Sequence, residues 1–165
     1  MDVAEIGFVR IDSRMIHGQI TTSWNNVVRA TKIVVIDDAV AANEMLAMGL
    51  QFAAPSGTQA FVYSVETAVN AWKENQFGKG RAMVLFRDVE TAYRTWKAGF
   101  MYTDLNIGNI PQAPGRIAVY KTCFMNHEEA ELLKEMEQNQ VNIYLQFMPQ
   151  EKIVPLNKLL VKIGG

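Results

Sequence analysis

Within eight residues, Arg10-Ile11-Asp12-Ser13-Arg14-Met15-Ile16-His17, the chain carries two arginines, a carboxylate and one of its two histidines, and Gly18-Gln19-Ile20 follows directly. An imidazole of ordinary pKa, about 6.5, is largely neutral near pH 7, and its nitrogen lone pair can attack phosphorus. The product is a labile phosphoramidate, so the site must supply positive charge and N–H donors to three phosphoryl oxygens. Arg14 and Arg10 offer guanidinium forks for that purpose. The backbone N–H groups of Gly18, Gln19 and Ile20 would face the same oxygens if a helix begins there, and Gly18 removes a side chain where the backbone would approach closely. Asp12 has two uses open to it: accepting from the second imidazole nitrogen, or fixing an arginine. The plainer alternative is a surface loop with a bystander histidine among scattered charges, and residue types alone weigh the two readings evenly.

Other candidates carry thinner signals. Asp37 and Asp38 follow an apolar run and read either as a helix cap or as a polar wall of a ligand crevice. A dinucleotide fold would use an acid there for ribose, but the first turn lacks a G-x-G-x-x-G fingerprint. Asn106 and Gly108, with Asn109 beside them, end another apolar run, and Lys121 with Thr122 ends a third. His127 stands beside Glu128 and Glu129 in an expected first helical turn and reads as solvent-facing. Cys123 has no His or acid partner in sequence and reads as a small core residue.

The elements that would position these residues follow from apolar runs of strand length: 8–11, 33–36, 60–63, 82–86, 105–107, 117–120 and 141–147. Each is followed by a segment of helical spacing. Ile33-Val34-Val35-Ile36 and Met83-Val84-Leu85-Phe86 are continuous rather than alternating, which suits strands covered on both faces. The expectation is one three-layer α/β domain over residues 1–165, with a mostly parallel sheet of about seven strands and helices on both faces. Three stripes are expected to face the core: Trp24, Val27 and Val28; Met45, Met48 and Gly49; and Val89, Ala92, Tyr93 and Trp96. Ser64 and Asp88 stand at N-cap positions, Asn126 to Glu129 resembles a capping box, and Gly99 follows a helix end. In such a sheet, ligands meet the carboxyl ends of the strands, the edge where His17 falls.

The chain has 165 residues, with 16 Lys plus Arg against 17 Asp plus Glu, a net charge of -1 and 49% hydrophobic residues. That balance gives no electrostatic excess for non-specific binding to nucleic acid or anionic membranes, while leaving room for a local basic pocket. A single cysteine excludes an intramolecular disulfide and a Cys-rich zinc site. The opening Met1-Asp2-Val3-Ala4-Glu5 lacks the basic start of a secretory signal, and no run approaches the ~20 apolar residues of a spanning helix. A cytoplasmic protein, with neither metal nor cofactor, is the expectation.

The stretch Val9-Arg10-Ile11-Asp12-Ser13-Arg14-Met15-Ile16-His17-Gly18-Gln19-Ile20 resembles the phosphorylation loop of the IIB subunits of the mannose/fructose/sorbose family of bacterial sugar phosphotransferase systems, which usually reads V-R-I-D-D/N-R-L-I-H-G-Q-V. The likeness continues through Val34 to Asp38, Leu105 to Ile110, the segment from His127, Val141 to Phe147, and Val154-Pro155-Leu156. It implies a doubly wound, parallel-rich sheet and a relay protein peripherally associated with a membrane permease. By position, His17 would take a phosphoryl group from the phosphohistidine of a IIA domain, through Nδ1, and pass it to a sugar arriving through the IIC/IID permease. Arg14 would be the main phosphate-stabilising side chain, with Arg10, Asp12 and the Gly18-Gln19 backbone completing the loop. Ser13 departs from the usual acid or amide, Met15 from the usual Leu, and Asn109 stands where the family often has a second Gly, which questions the shape of that loop.

Two readings of other classes compete: a sensor of similar fold that binds a phosphorylated metabolite at Arg14 without covalent chemistry, and a nucleotide- or flavin-dependent enzyme.

Overall fold

The computed structural model describes residues 4–164; Met1, Asp2 and Val3, read above for a secretory signal, lie outside them. Strands β1 (Ala4–Ile11), β2 (Lys32–Ile36), β3 (Gln59–Tyr63), β4 (Gly80–Phe86), β5 (Asp104–Ile107), β8 (Asn142–Leu145) and β9 (Val154–Pro155) form one sheet, in the order β3-β2-β4-β1-β5-β8-β9. All neighbours are parallel except β9, which pairs antiparallel with β8. Two further strands, β6 (Ile117–Tyr120) and β7 (Cys123–Met125), make a separate antiparallel hairpin. Helices are α1 (Gly18–Val28), α2 (Asp38–Ala41), α3 (Glu44–Phe52), α4 (Val65–Asn75), α5 (Val89–Ala98), α6 (His127–Gln138) and α7 (Leu156–Leu160).

Alternation along the strands divides the interior into two layers. Val9, Ile11, Val34, Ile36, Val84, Phe86, Leu105 and Ile107 pack against α4, α5, α6 and α7 through Ala68, Val69, Ala92, Trp96, Leu133, Met136 and Leu159. Phe8, Ile33, Val35, Met83 and Leu85 face the other way, onto Trp24 and Val28 of α1 and Leu50 of α3. Each fully buried Ile or Phe contributes roughly 1.5–3 kcal/mol by leaving water. The continuous apolar runs of β2 and β4 are thereby explained, since both faces of these strands are covered.

Helix ends follow the sequence signals. Ser64, Asp88 and Asn126 each accept from the backbone N–H three residues on, Glu129 completes the capping box, and Gly99 takes a φ of 132° past the end of α5.

Three expectations are corrected. Ile117–Tyr120 joins the β6–β7 hairpin rather than the sheet, whose seventh strand is β9. Met45 is 84% exposed and Met48 is also exposed, so the α3 stripe does not reach the core; α3 buries no residue fully and leans on the sheet through Leu50 and through Gln51, whose Nε2 donates to the Ala60 carbonyl at 3.4 Å. Val27 is likewise exposed, and α1 docks through Thr21, Trp24 and Val28.

The site lies where β1, in the middle of the sheet, ends. β1 runs beside β4 along its length, but it pairs with β5 only at Arg10 and Ile11. α1 leaves β1 toward one face and α5 leaves the neighbouring β4 toward the other, so a crevice opens above their carboxyl ends.

Candidate functional site

Two backbone bonds extend the strand ends into the loop: the N–H of Asp12 donates to the Phe86 carbonyl at 2.9 Å and that of Ser13 to the Asn109 carbonyl at 2.9 Å. Met15 N–H closes a tight turn on the Asp12 carbonyl and takes a φ of 58°, a conformation that costs a side-chain-bearing residue free energy. Asp12, almost fully buried, organises both arginines. Its Oδ2 accepts from Arg10 Nη2 at 3.1 Å, and its Oδ1 accepts from the Arg14 N–H at 3.0 Å and Arg14 Nε at 3.2 Å. Of the two uses open to this carboxylate, the structure selects the fixing of arginines.

Arg10 requires a correction. Its side chain is 2% exposed, and Nη1 donates to Asn106 Oδ1 at 2.6 Å and the Gln146 carbonyl at 3.0 Å, while Nη2 serves Asp12 and the Phe147 carbonyl at 3.1 Å. Four of its five N–H donors are thus committed inside the protein, leaving no fork for a phosphoryl group. Burial pulls the Arg10 pKa below its ordinary value, and Asp12 opposes that pull. Asn106 is fully buried, accepting from Arg10 and donating to the Gln146 carbonyl at 3.2 Å, so it too faces inward. Gly108 is explained by the same guanidinium, because a Cβ there would collide with Arg10 Cζ and Nη2.

Arg14 differs. It is 38% exposed, and its Nε and Nη2 turn one edge to Asp12 while Nη1 makes no hydrogen bond within the described residues. His17 is the N-cap of α1, half-buried and extended, with its backbone N–H donating to Thr21 Oγ1 at 2.8 Å and no side-chain capping bond. Among the described residues the first N–H groups of α1, on Gly18, Gln19 and Ile20, meet no hydrogen-bond acceptor directly after the N-cap. Gly18 has a φ of 45° and open space where a Cβ would stand, so the backbone angle calls for glycine and no protein atom crowds it.

Within the imidazole, Nε2 is screened from solvent and meets no hydrogen-bond partner, whereas Nδ1 is not enclosed in this way. Burial first and the Arg14 charge second lower the His17 pKa from its ordinary 6.5, Asp12 opposing, which favours the neutral ring beyond an ordinary imidazole. A neutral tautomer with its proton on Nε2 would present the Nδ1 lone pair outward.

The remaining candidates divide. Asp37 caps α2 by accepting from Val40 N–H at 3.0 Å, with Arg87 3.8 Å away, and Asp38 accepts from Val65 N–H and Arg94. Both sit on the carboxyl edge, beyond β4 from His17, and their carboxylates hold helices; the cap reading is the one realised. Hydrogen bonds and the Arg94 charge keep Asp38 below its ordinary value. Lys121 lies in the β6–β7 turn with a φ of 37°, its Nζ 3.6 Å from Glu151, and borders a small cavity with Gly108 and Phe147. Cys123 is buried, which pushes its thiol up to about 12 and removes it as a nucleophile. His127 is exposed beside Glu131 on α6.

Two departures noted in the sequence meet each other. Asn109 Nδ2 donates to Ser13 Oγ at 2.7 Å, and Asn109 does not adopt a positive φ, so the loop keeps its shape without a second glycine. Sequence reasoning missed Thr21, Trp24 and Phe147 as parts of the site. Thr21 was discoverable four residues after the N-cap; the Trp24 indole bond to the Phe147 carbonyl, at 2.9 Å, has no local signal. Among the described residues no group of three or more His, Cys, Asp or Glu could hold a metal, and no helix is long and apolar enough to cross a membrane.

A family model described as PTS system sorbose subfamily IIB component matches residues 6–164. The chain is 29% identical to the sorbose-specific EIIB component of Klebsiella pneumoniae, over 91% of this chain and 92% of that one. It is 26% identical to the mannose-specific EIIAB component of Escherichia coli over 98% of its own length, and spans about half (50%) of that longer protein. Among solved structures, manxB from Thermoanaerobacter tengcongensis superposes with a TM-score of 0.92 at 30% identity, covering 100% of both chains.

Proposed function

We propose, on the premise that this chain belongs to the sorbose subfamily of IIB components of sugar phosphotransferase systems, that His17 is its phosphoryl carrier and that residues 1–165 act as one IIB unit. The observation that carries the reading is the placement of the His17 imidazole at the N-cap of α1, followed by helix N–H groups without a side-chain cap and under the charge of an Arg14 guanidinium held by Asp12. Family membership gives no support to the non-covalent sensor.

In the first half-reaction the Nδ1 lone pair of His17 attacks the phosphorus of a phosphohistidine on a IIA domain. The new N–P bond forms as the donor's N–P bond breaks, and the donor imidazole leaves with the electron pair and is then protonated. In the second, a sugar hydroxyl presented by a IIC/IID permease attacks the same phosphorus, its proton passes to solvent or to the departing imidazole, and His17 is regenerated. Arg14 Nη1 and the N–H groups of Gly18, Gln19 and Ile20 neutralise the equatorial oxygens, and Asp12 aims Arg14. Arg10, Asn106 and Gly108 act one layer below, as the support on which Asp12 rests. An accessible loop suits this cycle, because one ring must meet two macromolecules in turn. Work at the cytoplasmic side of a membrane, without insertion into it, follows from the same reading.

The test is incubation with phosphoenolpyruvate, the general phosphotransferase proteins and a IIA donor, followed by mass measurement. An acid-labile, base-stable gain of one phosphate is expected in wild type and in His127→Gln but not in His17→Gln; labelling that follows His127 would move the site.

A further inference from the structure

Phe147 follows β8 and is half-buried in a turn to which no chemistry has been assigned. Its carbonyl is gripped from two elements, accepting from Arg10 Nη2 of β1 at 3.1 Å and from Trp24 Nε1 of α1 at 2.9 Å. Its ring meets two guanidiniums, with Arg14 Cζ 5.5 Å and Arg10 Cζ 5.9 Å from the ring centroid. Both distances lie within the roughly 6 Å over which an aromatic quadrupole attracts a cation. Phe147 also lines a cavity of about 80 Å³ with Gly108, Cys123 and Leu145.

Arg14 has a mechanical problem that this arrangement answers. Asp12 holds it by one edge, through Nε at 3.2 Å and Nη2 at 3.4 Å, the second a long contact, so the carboxylate alone leaves the guanidinium plane free to swing. A long exposed side chain that swings spends much of its time away from the transferring group. A ring set against it supplies a second constraint and leaves Nη1 unengaged.

We infer that Phe147 is a positioning residue for Arg14: its ring steadies the guanidinium against Asp12, and the buried Arg10 and Trp24 fix Phe147 in turn. The inference rests on the reading of His17 as phosphoryl carrier, and it deepens that reading by giving Arg14 its support. The charged groups acting on the His17 ring are Arg14, Asp12 and Arg10. Of these Arg14 is the exposed one, so a loosened Arg14 changes the imidazole's titration as well as the transfer rate.

The experiment compares Phe147→Leu, Phe147→Met and Phe147→Tyr with wild type. It reads the initial rate of phosphoryl transfer from a phosphorylated IIA donor and, in unphosphorylated protein, the His17 titration by NMR. Loss of the ring in the Leu and Met variants slows transfer about three- to tenfold, the range of one cation–π contact. It also moves the His17 midpoint up toward 6.5, and Tyr restores both. In an Arg14→Gln background, Phe147→Leu slows transfer no further. Wild-type rate and titration in the Leu and Met variants, or losses that multiply across the two backgrounds, would overturn the inference. Should wild type accept no phosphoryl group, the carrier reading fails, and the titration still decides whether Phe147 steadies Arg14.

Discussion

Arg10 and Arg14 lie four residues apart, both bind the Asp12 carboxylate, and they do opposite work. Arg10 points into the protein, where Asn106 and two carbonyls from the turn after β8 use up its donors. Arg14 points outward, keeps one nitrogen unengaged, and acts on the His17 ring through its charge. The difference shows that charge and residue type set what a side chain can do, while the number of donors already committed sets what it does. Asp12 couples the two regions: the interior arginine holds the carboxylate, and the carboxylate holds the arginine at the mouth.

The strongest way to break this division is Arg10→Met. That change leaves Asn106 Oδ1 without its donor, takes one of two donors from each of the Gln146 and Phe147 carbonyls, and removes one of two arginine partners of a buried carboxylate, so a loss of about 3–5 kcal/mol in unfolding free energy is expected by denaturant titration. A variant as stable as wild type would deny Arg10 its interior role. Arg14→Gln reverses the pattern. Stability should fall less than in Arg10→Met, because Asp12 keeps its bonds to Arg10 and to the backbone N–H of residue 14, while phosphoryl transfer slows on the order of 100-fold, comparable to deleting one transition-state donor. Arg14→Lys should fall between, keeping charge but losing the fork. Equal stability losses at Arg10 and Arg14 would erase the contrast.

A smaller effect is expected at the seam between the two loops. Asn109→Gly removes the bond to Ser13 Oγ and should cost about 1 kcal/mol, read as a lower denaturation midpoint with transfer nearly unchanged. The mildest effect is on pH. Because the folded His17 pKa lies below its ordinary 6.5, the folded chain binds fewer protons than the unfolded one between those two values. This contribution to stability is complete above 6.5 and is lost as pH falls through the folded value. Arg14→Gln should raise the midpoint toward 6.5 and narrow that window; an unchanged midpoint would remove Arg14 from the electrostatics of the ring.

The carboxyl-edge placement of His17, the strands from β1 to β5 and the caps at Ser64, Asp88 and Asn126 were legible in the sequence, because each rests on interactions within a few residues. What escaped depends on partners far along the chain. Arg10 reads as a second phosphate fork until Asn106 and the carbonyls of Gln146 and Phe147, about a hundred or more residues away, are brought to it. Ile117–Tyr120 has the same strand pattern whether it joins the sheet or a hairpin, and β9 is a two-residue strand ending in proline, too short for any periodic signal. The Met45 and Met48 stripe has helical spacing, yet spacing gives a face and not what the face meets. Of the candidate site, the loop and its chemistry could be read, and the division of labour within it could not.

The most direct test of the central claim is NMR of the phosphorylated chain, locating the phosphoryl group by its coupling to the imidazole ring nitrogens. Phosphate is expected on Nδ1 of His17, the nitrogen left unenclosed by the fold. Phosphate on Nε2, on His127, or on no histidine under conditions that load the IIA donor would contradict it.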